Sequence, residues 1–125
     1  PHGMAINPTT NQGVIGCSAR DETYTLVWDF TTNTRVRMSD LSGAGDAVIY
    51  DAAVDQFFFA ASNYTPPELA IFTGSPDANY LTSVQTFHKS NTVAYDEAHN
   101  LLITHDGRAA SAGLLYFPNP MVGRH

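Results

Sequence analysis

The sequence predicts an all-β protein built from three copies of one repeating unit. Its apolar stretches are short, rich in Val, Ile, Phe, Tyr and Thr, and bounded by Gly, Pro, Asn and Asp, which is typical of strands and turns. Three segments align with one another along the chain, and none shows sustained helical periodicity with capping residues. These observations together favour a repeat architecture made of β-strands.

The repeat is clearest in three segments, GMAINPTTNQGVIGCS, AVIYDAAVDQFFFAAS and TVAYDEAHNLLITHD. Asn7, Asp51 and Asp96 fall in register in these segments, 44 and 45 residues apart. Each follows a short alternating apolar stretch and precedes a polar turn, after which another apolar run begins. Because one register aligns all three segments, we interpret them as copies of a single structural unit.

Four strands are predicted in a complete unit. The first strand ends at the aligned Asn or Asp, and Asn11-Gln12-Gly13 and Asp55-Gln56 then supply turn residues before the second strand. The Ala-rich stretch after Asp51 is too short to form an independent helix. The third strands are the apolar runs at residues 26–28, 69–72 and 114–117. Four strands in roughly 45 residues match one blade of a β-propeller.

The segment PHGMAINPTTNQGVIGCS, followed by LVWDFTTNTRV, resembles the propeller repeats of bacteria and archaea that are named for a Tyr-Val-Thr-Asn motif. It is also similar to lactonase-like seven-bladed propellers, whose blades often open with Pro-His followed by a strand and Asp-Pro. Pro1-His2 and Asn7-Pro8 occupy those places here, whereas Ile15-Gly16-Cys17-Ser18 replaces the Tyr-Val-Thr-Asn core. The resemblance extends over the whole chain and implies the fold, but not one activity.

We expect blades at residues 1–43, 44–89 and 90–125, and we expect the third to be incomplete because few residues follow LLYFPNP. Propellers usually contain four to eight blades, so three blades do not close a ring. The chain is therefore predicted to be a partial propeller: either a fragment of a larger one, or one piece of a multi-chain ring, such as two copies that make six blades.

The expected partners are accordingly the remaining blades of the same propeller or further copies of the chain. Each end of a three-blade stack leaves one blade flank uncovered. We expect apolar side chains on these flanks, among them Phe57, Phe59, Leu115 and Tyr116. Phe58, Phe72 and Trp28 are expected between blades as core residues.

Composition excludes several classes of function. The net charge is −6, with one lysine and scattered arginines, so no basic cluster is present to bind nucleic acid. No apolar run is long enough for a membrane span. Cys17 is the only cysteine, which excludes an internal disulfide. It aligns with Ala61 and His105 near the end of a second strand, where we expect a small half-buried filler rather than a nucleophile. The compartment stays open, and low lysine with high Thr and Asn content slightly favours an extracellular or periplasmic protein.

Candidate site residues come first from the repeat register. In a propeller, the innermost strand of each blade begins at the mouth of the central channel, and His2, Asp46 and Asn91 precede these strands at equivalent positions. Imidazole, carboxylate and amide oxygen can orient a polar ligand, and His2 with Asp46 can bind a divalent metal ion. The alternative is that the three side chains cap the starts of the strands.

The connections between second and third strands lie at the same mouth. Additional ligand-binding candidates are Asn63, His105, Asp106 and Arg108, beside Arg20, Asp21, Glu22 and Tyr64. His105 and Asp106 form an acid–base pair only in a loop conformation, because adjacent residues on a strand point to opposite faces.

The sequence therefore predicts a ligand- or partner-binding propeller module with a polar site at the channel mouth. The alternative is a lactonase-like hydrolase or lyase that uses a channel-mouth His or a metal ion, and a third possibility is a purely structural repeat. An enzyme requires several ionisable groups that converge within hydrogen-bond reach. The cofactor is open, with a divalent metal ion as the candidate.

Overall fold

The computed structural model describes residues 3–19, 22–43, 45–108 and 113–122. These residues form strands and turns, and the expected all-β class is confirmed. None of the described ranges contains a helix long and apolar enough to cross a membrane. The strands are β1 (Met4–Asn7), β2 (Gln12–Ala19), β3 (Glu22–Asp29), β4 (Thr34–Ser39), β5 (Ala47–Asp51), β6 (Gln56–Ala61), β7 (Glu68–Thr73), β8 (Tyr80–Gln85), β9 (Ala94–Asp96), β10 (Leu101–His105) and β11 (Leu114–Pro118).

The strands form three antiparallel sheets, each made from strands consecutive in the chain. The first sheet has the order β1-β2-β3-β4 and the second has the order β5-β6-β7-β8. The third contains β9, β10 and β11 within the described residues, with β10 in the centre. Two four-stranded sheets and one three-stranded sheet match the strand content expected of two complete units and an incomplete one.

The aligned Asn and Asp residues end the first strand of every sheet. Asn7, Asp51 and Asp96 are the last residues of β1, β5 and β9. Each Oδ1 atom accepts a hydrogen bond from a backbone N–H two or three residues later, at 2.9, 3.0 and 3.3 Å respectively. The side chain thereby satisfies the backbone of the turn that follows, which explains why an Asn or Asp recurs there.

A second repeated position closes the same turns. Asn11, Asp55 and Asn100 adopt φ angles of 59°, 52° and 53°, in the left-handed region that Asn and Asp tolerate better than most residues. The carbonyl of each accepts a backbone hydrogen bond of 2.9 Å from the residue after the third strand of its own sheet. The donors are Phe30, Gly74 and Asn119. One turn geometry is therefore repeated in all three sheets.

The sheets stack face to face, with the second sheet in the middle. We call the face of a sheet that looks towards the following sheet its forward face, and the opposite face its rear face. Val14 and Val27 on the forward face of the first sheet pack with Phe59 and Phe72 on the rear face of the second. Phe58 on the forward face of the second sheet belongs to another core cluster, with Leu102 and Phe117 of the third sheet.

This stacking corrects the residues expected at the open flanks. Phe57 and Phe59 are fully buried between the first and second sheets, because the second sheet is covered on both faces. Leu115 pairs with buried Thr104, on the side of the third sheet that faces the second. Tyr116 does lie on the outer side and is 57% exposed. Among the expected core residues, Phe58 and Phe72 are buried, whereas Trp28 is half-buried on the rear face of the first sheet.

A buried glutamine at the start of the second strand joins adjacent sheets. The Gln12 side chain donates to Asp77 Oδ1 at 2.7 Å and accepts a hydrogen bond from the Ala78 N–H at 3.0 Å, both in the connection from β7 to β8. At the equivalent position, Gln56 Oε1 accepts a hydrogen bond of 2.8 Å from Asn119 Nδ2, directly after β11. The same residue type therefore joins both pairs of sheets.

The left-handed turn residues give a direct test of the repeated geometry. We expect Asn11→Val to lower the free energy of unfolding by about 1–2 kcal/mol, because a β-branched residue is strained at positive φ. Asn11→Gly is the matched control and is expected to retain most of the stability, since glycine adopts this conformation freely. Chemical denaturation measures both. Equal losses in the two variants would contradict the assignment of the effect to backbone strain.

Candidate functional site

The sequence-predicted site residues belong to one edge of the three sheets. We define the loop edge as the edge at which β1, β5 and β9 begin, and the turn edge as the one at which they end. The antiparallel order brings the connections β6–β7 and β10–β11 to the loop edge, together with the links between successive sheets. The turn edge carries the turns closed by Asn11, Asp55 and Asn100.

Asp46 and Asn91 lie at this loop edge, as their register requires. Asp46 directly precedes β5, Asn91 lies three residues before β9, and both are exposed. Their predicted counterpart His2 falls outside the described residues, as do Arg20 and Asp21. The pairing of His2 with Asp46 as metal ligands therefore stays a prediction. Within the described ranges, no group of three His, Cys, Asp or Glu side chains comes together to hold a metal ion.

The β6–β7 connection links the second sheet to the first. Asn63 is exposed in this loop, and Tyr64 beside it is half-buried. The Tyr64 hydroxyl donates a hydrogen bond of 2.7 Å to the backbone carbonyl of Asp40, which follows β4 of the first sheet. Burial, and then the negative charges of Glu68 and Asp40, raise the pKa of Tyr64. Tyr64 therefore acts as a tether between sheets, which leaves Asn63 as the ligand-accessible member of this pair.

The β10–β11 connection separates the predicted acid–base pair. His105 ends β10 and is exposed, whereas Asp106 is buried. The described hydrogen bonds from side chains to the Asp106 carboxylate come from the Arg108 guanidinium, at 2.6 to 3.2 Å. Arg108 also lies over the Phe87 ring, 4.3 Å from its centroid. The carboxylate is thus engaged by a guanidinium, and the hydrogen bond raises the pKa of Arg108. Asp106 and Arg108 hold each other at the start of the connection, and the His105 side chain is exposed at the surface.

Glu68 is a loop-edge residue that the sequence analysis missed. It begins β7 and is only 7% exposed, on the rear face of the second sheet. Burial raises the pKa of its carboxyl from 4.5 to about 7. Strand alternation could have identified Glu68, because Glu68, Ala70 and Phe72 point to the same face of the sheet and the last two are buried against the first sheet. This carboxyl is therefore positioned to change its charge near neutral pH.

The first sheet contributes an open cleft to the same edge. The cleft has a volume of about 650 Å³ and is lined by Glu22, Thr23, Tyr24, Met38 and Asp40. Glu22 was a candidate from the sequence, whereas the neighbouring residues were not. Because Tyr64 donates to the Asp40 carbonyl, the rim of the cleft is connected to the second sheet.

Charge at the turn edge is arranged differently. Hydrogen bonding to Asp51 and the negative charge of that residue raise the pKa of Glu97, which joins the turns of the second and third sheets. His99 Nδ1 lies 2.8 Å from Asp96 Oδ2, and this hydrogen bond lowers the pKa of Asp96. Asp51 and Asp96 are the residues that form the repeated turns, so these contacts belong to turn formation rather than to an open site.

Cys17 is buried, and burial raises the pKa of its thiol. Its Sγ lies 3.9 Å from the Ile15 carbonyl oxygen. A thiol is a poor nucleophile when burial disfavours the thiolate. Cys17 therefore fills space on the rear face of the first sheet.

Comparison with known proteins adds no assignment. A scan of the sequence against protein-family models finds no match, and a search of curated proteins finds none either.

The raised pKa of Glu68 predicts a stability that depends on pH. The folded chain holds a proton on Glu68 that the unfolded chain releases between pH 4.5 and about 7, so the free energy of unfolding falls as pH rises through that window. Above this window both states are charged and the full penalty remains. We expect Glu68→Gln to remove most of this fall and to be more stable than the wild type at alkaline pH by about 1–3 kcal/mol.

Thermal or chemical denaturation from about pH 4 to about pH 9 measures this effect. Glu22→Gln is the matched control, because Glu22 is an exposed carboxylate at the same edge. A Glu68→Gln profile that follows the wild type at every pH would contradict the assignment.

Proposed function

We propose that the three sheets are consecutive blades of a β-propeller and that their loop edge is a binding surface. The stacking supports this proposal, because each sheet meets the next through the same pair of faces. The first strands of the first and second sheets are also neighbours, and the Gly3 N–H donates a hydrogen bond of 3.0 Å to the Gly45 carbonyl at the loop edge. Innermost strands that lie side by side around an axis are what a propeller requires.

The loop edge has the chemistry of a site for a polar ligand. Asp46 offers hydrogen-bond acceptors, Asn63 and Asn91 offer both donors and acceptors, and His105 adds an imidazole. All four side chains are exposed at one edge: Asp46 and Asn63 on the second sheet, and Asn91 and His105 on the third. Several exposed polar groups at one edge favour a small molecule, or a short segment of a partner, that carries several hydroxyl or amide groups. The repeated placement of polar side chains at this edge is the observation that carries the proposal.

Binding is tested by nuclear magnetic resonance on the full chain labelled with ¹⁵N. The probes are glucose, glycerol and acetylated amino-acid amides, added separately. We expect at least one of them to shift amide resonances at the loop edge and not at the turn edge. Asp46→Ala and Asn91→Ala should each weaken that binding by about threefold to tenfold, the effect of losing one hydrogen bond.

Thr32→Ala is the matched control, because Thr32 is an exposed polar residue in the turn between β3 and β4. Shifts confined to the turn edge, or an affinity unaffected by both loop-edge substitutions, would contradict the proposal. Hydrolysis of a γ-lactone by the wild type, lost in Asp46→Ala, would support the alternative of a lactonase-like hydrolase instead.

A further inference from the structure

Within the described residues, two apolar sheet faces remain uncovered at the ends of the stack. On the rear face of the first sheet, Met4 is 53% exposed, and an apolar pocket of about 400 Å³ lies against Met4, Ile15, Leu26 and Trp28. On the forward face of the third sheet, Tyr116 is exposed beside Ile103, its pairing partner on β10. Contiguous apolar patches of this kind mark interaction surfaces.

The repeat register shows that these two faces correspond to faces already packed inside the molecule. Ile103 and Tyr116 stand where Phe58 and Ile71 stand in the second sheet, and where Val14 and Val27 stand in the first. All four of those equivalents are fully buried against a following sheet. The third sheet therefore presents the face that the other two use to bind their successor.

The rear face of the first sheet likewise corresponds to a face that is buried in the second sheet. Ile15 and Trp28 stand where Phe59 and Phe72 stand in the second sheet, and both phenylalanines are buried against a preceding sheet. The first sheet therefore presents the face that receives a predecessor. The two uncovered faces are therefore one forward face and one rear face, which are the two kinds of face that pack together at each internal junction.

We propose that the forward face of the third sheet docks on the rear face of the first sheet in a second copy of this chain. The contact joins two different surfaces, so it is head-to-tail, and it either closes a ring of copies or extends a row of them. Leu101 stands where Gln12 and Gln56 make the buried polar link between sheets, so the contact between copies is apolar at that point. His105 alternates with Ile103 on β10 and therefore lies on the forward face of the third sheet, whereas Asp46 and Asn91, whose substitution tests the binding proposal, lie in the links between sheets. The two proposals are therefore tested at different residues.

The first measurement is the mass of the full chain in solution by light scattering. We expect whole-number multiples of 13.6 kDa, starting at two copies, over a range of concentrations. A wild-type chain that stays monomeric throughout would overturn the proposal and would indicate that another kind of partner covers the two faces. Asp46→Ala is expected to leave the mass unchanged, because Asp46 lies at the loop edge.

The head-to-tail arrangement is tested with variants that each lose one face. Met4→Asp disables the rear face of the first sheet, and Tyr116→Asp disables the forward face of the third. Each variant alone should be monomeric, since burying an unpaired charge weakens the contact by about a hundredfold or more. An equimolar mixture should form a complex of one copy of each, because each variant keeps the face that the other lacks.

A symmetric contact gives a different result. If the rear face docked on another rear face, Met4→Asp would be monomeric but Tyr116→Asp would assemble like the wild type, and this outcome would overturn the proposal. Leu41→Asp is the matched control, because Leu41 is an exposed apolar residue outside both faces, and it should assemble normally. Circular dichroism checks that every variant keeps the β-sheet content of the wild type.

Trp28 supplies an independent readout, because it is the only tryptophan and lies on the rear face of the first sheet. Its fluorescence should shift to shorter wavelength when copies associate. In Tyr116→Asp alone the shift should be absent, and adding Met4→Asp should restore it. A fluorescence maximum that is the same in the variant and in the mixture would overturn the proposed location of the contact.

Discussion

Burial of the second sheet on both faces is the constraint on which the rest of the fold depends. Phe57, Phe58 and Phe59 follow one another on β6, one of its two inner strands, and alternation sends the outer two towards the first sheet and the middle one towards the third. Phe58 stacks on Tyr95 of the third sheet with ring centroids 4.6 Å apart. Removing one buried phenylalanine ring typically costs about 3–5 kcal/mol. A whole domain is stable by only about 5–15 kcal/mol, so each ring is a large share of the total.

The sequence was sufficient for the local geometry and insufficient for the packing. Asn7, Asp51 and Asp96 were predicted to end strands and do so, because a short polar side chain bonded to its own turn needs no distant partner. Phe57 and Phe59 were wrongly expected on an open flank, because alternation separates two faces without saying which neighbour covers each. A continuous run of three phenylalanines indicates a strand that is buried on both sides. This pattern is better evidence for the position of Phe57 and Phe59 than the expectation of open flanks, which came from the number of blades.

The candidate site was predictable to a similar degree. The repeat register alone places Asp46 and Asn91 at one edge, because equivalent positions of a repeat share an edge. The partner of Asp106 was not predictable, because its contact with Arg108 depends on the path of a loop rather than on a period. Glu68 was missed for a different reason: a carboxyl at the start of an apolar strand is normally assumed to be solvated.

Both internal junctions carry a carboxyl group that resists ionisation. Glu68 lies between the first and second sheets, where burial raises its pKa. Glu97 joins the turns of the second and third sheets, where a hydrogen bond to Asp51, together with the negative charge of that residue, has the same effect on the pKa. Protonation of either carboxyl therefore stabilises its junction, although one effect arises from lost solvation and the other mainly from a hydrogen bond between two side chains.

The repeated turn has an evolutionary consequence. Asn11, Asp55 and Asn100 each accept an equivalent 2.9 Å backbone hydrogen bond from within their own unit. The turn geometry of each unit is therefore determined by residues of that unit. Duplication or loss of a whole unit within the gene would therefore leave the remaining turns intact. Selection would act mainly on the side chains between units, where substitutions such as leucine for glutamine alter how firmly neighbours adhere. A lineage of such genes can change the size of its product in discrete steps without inventing a new fold.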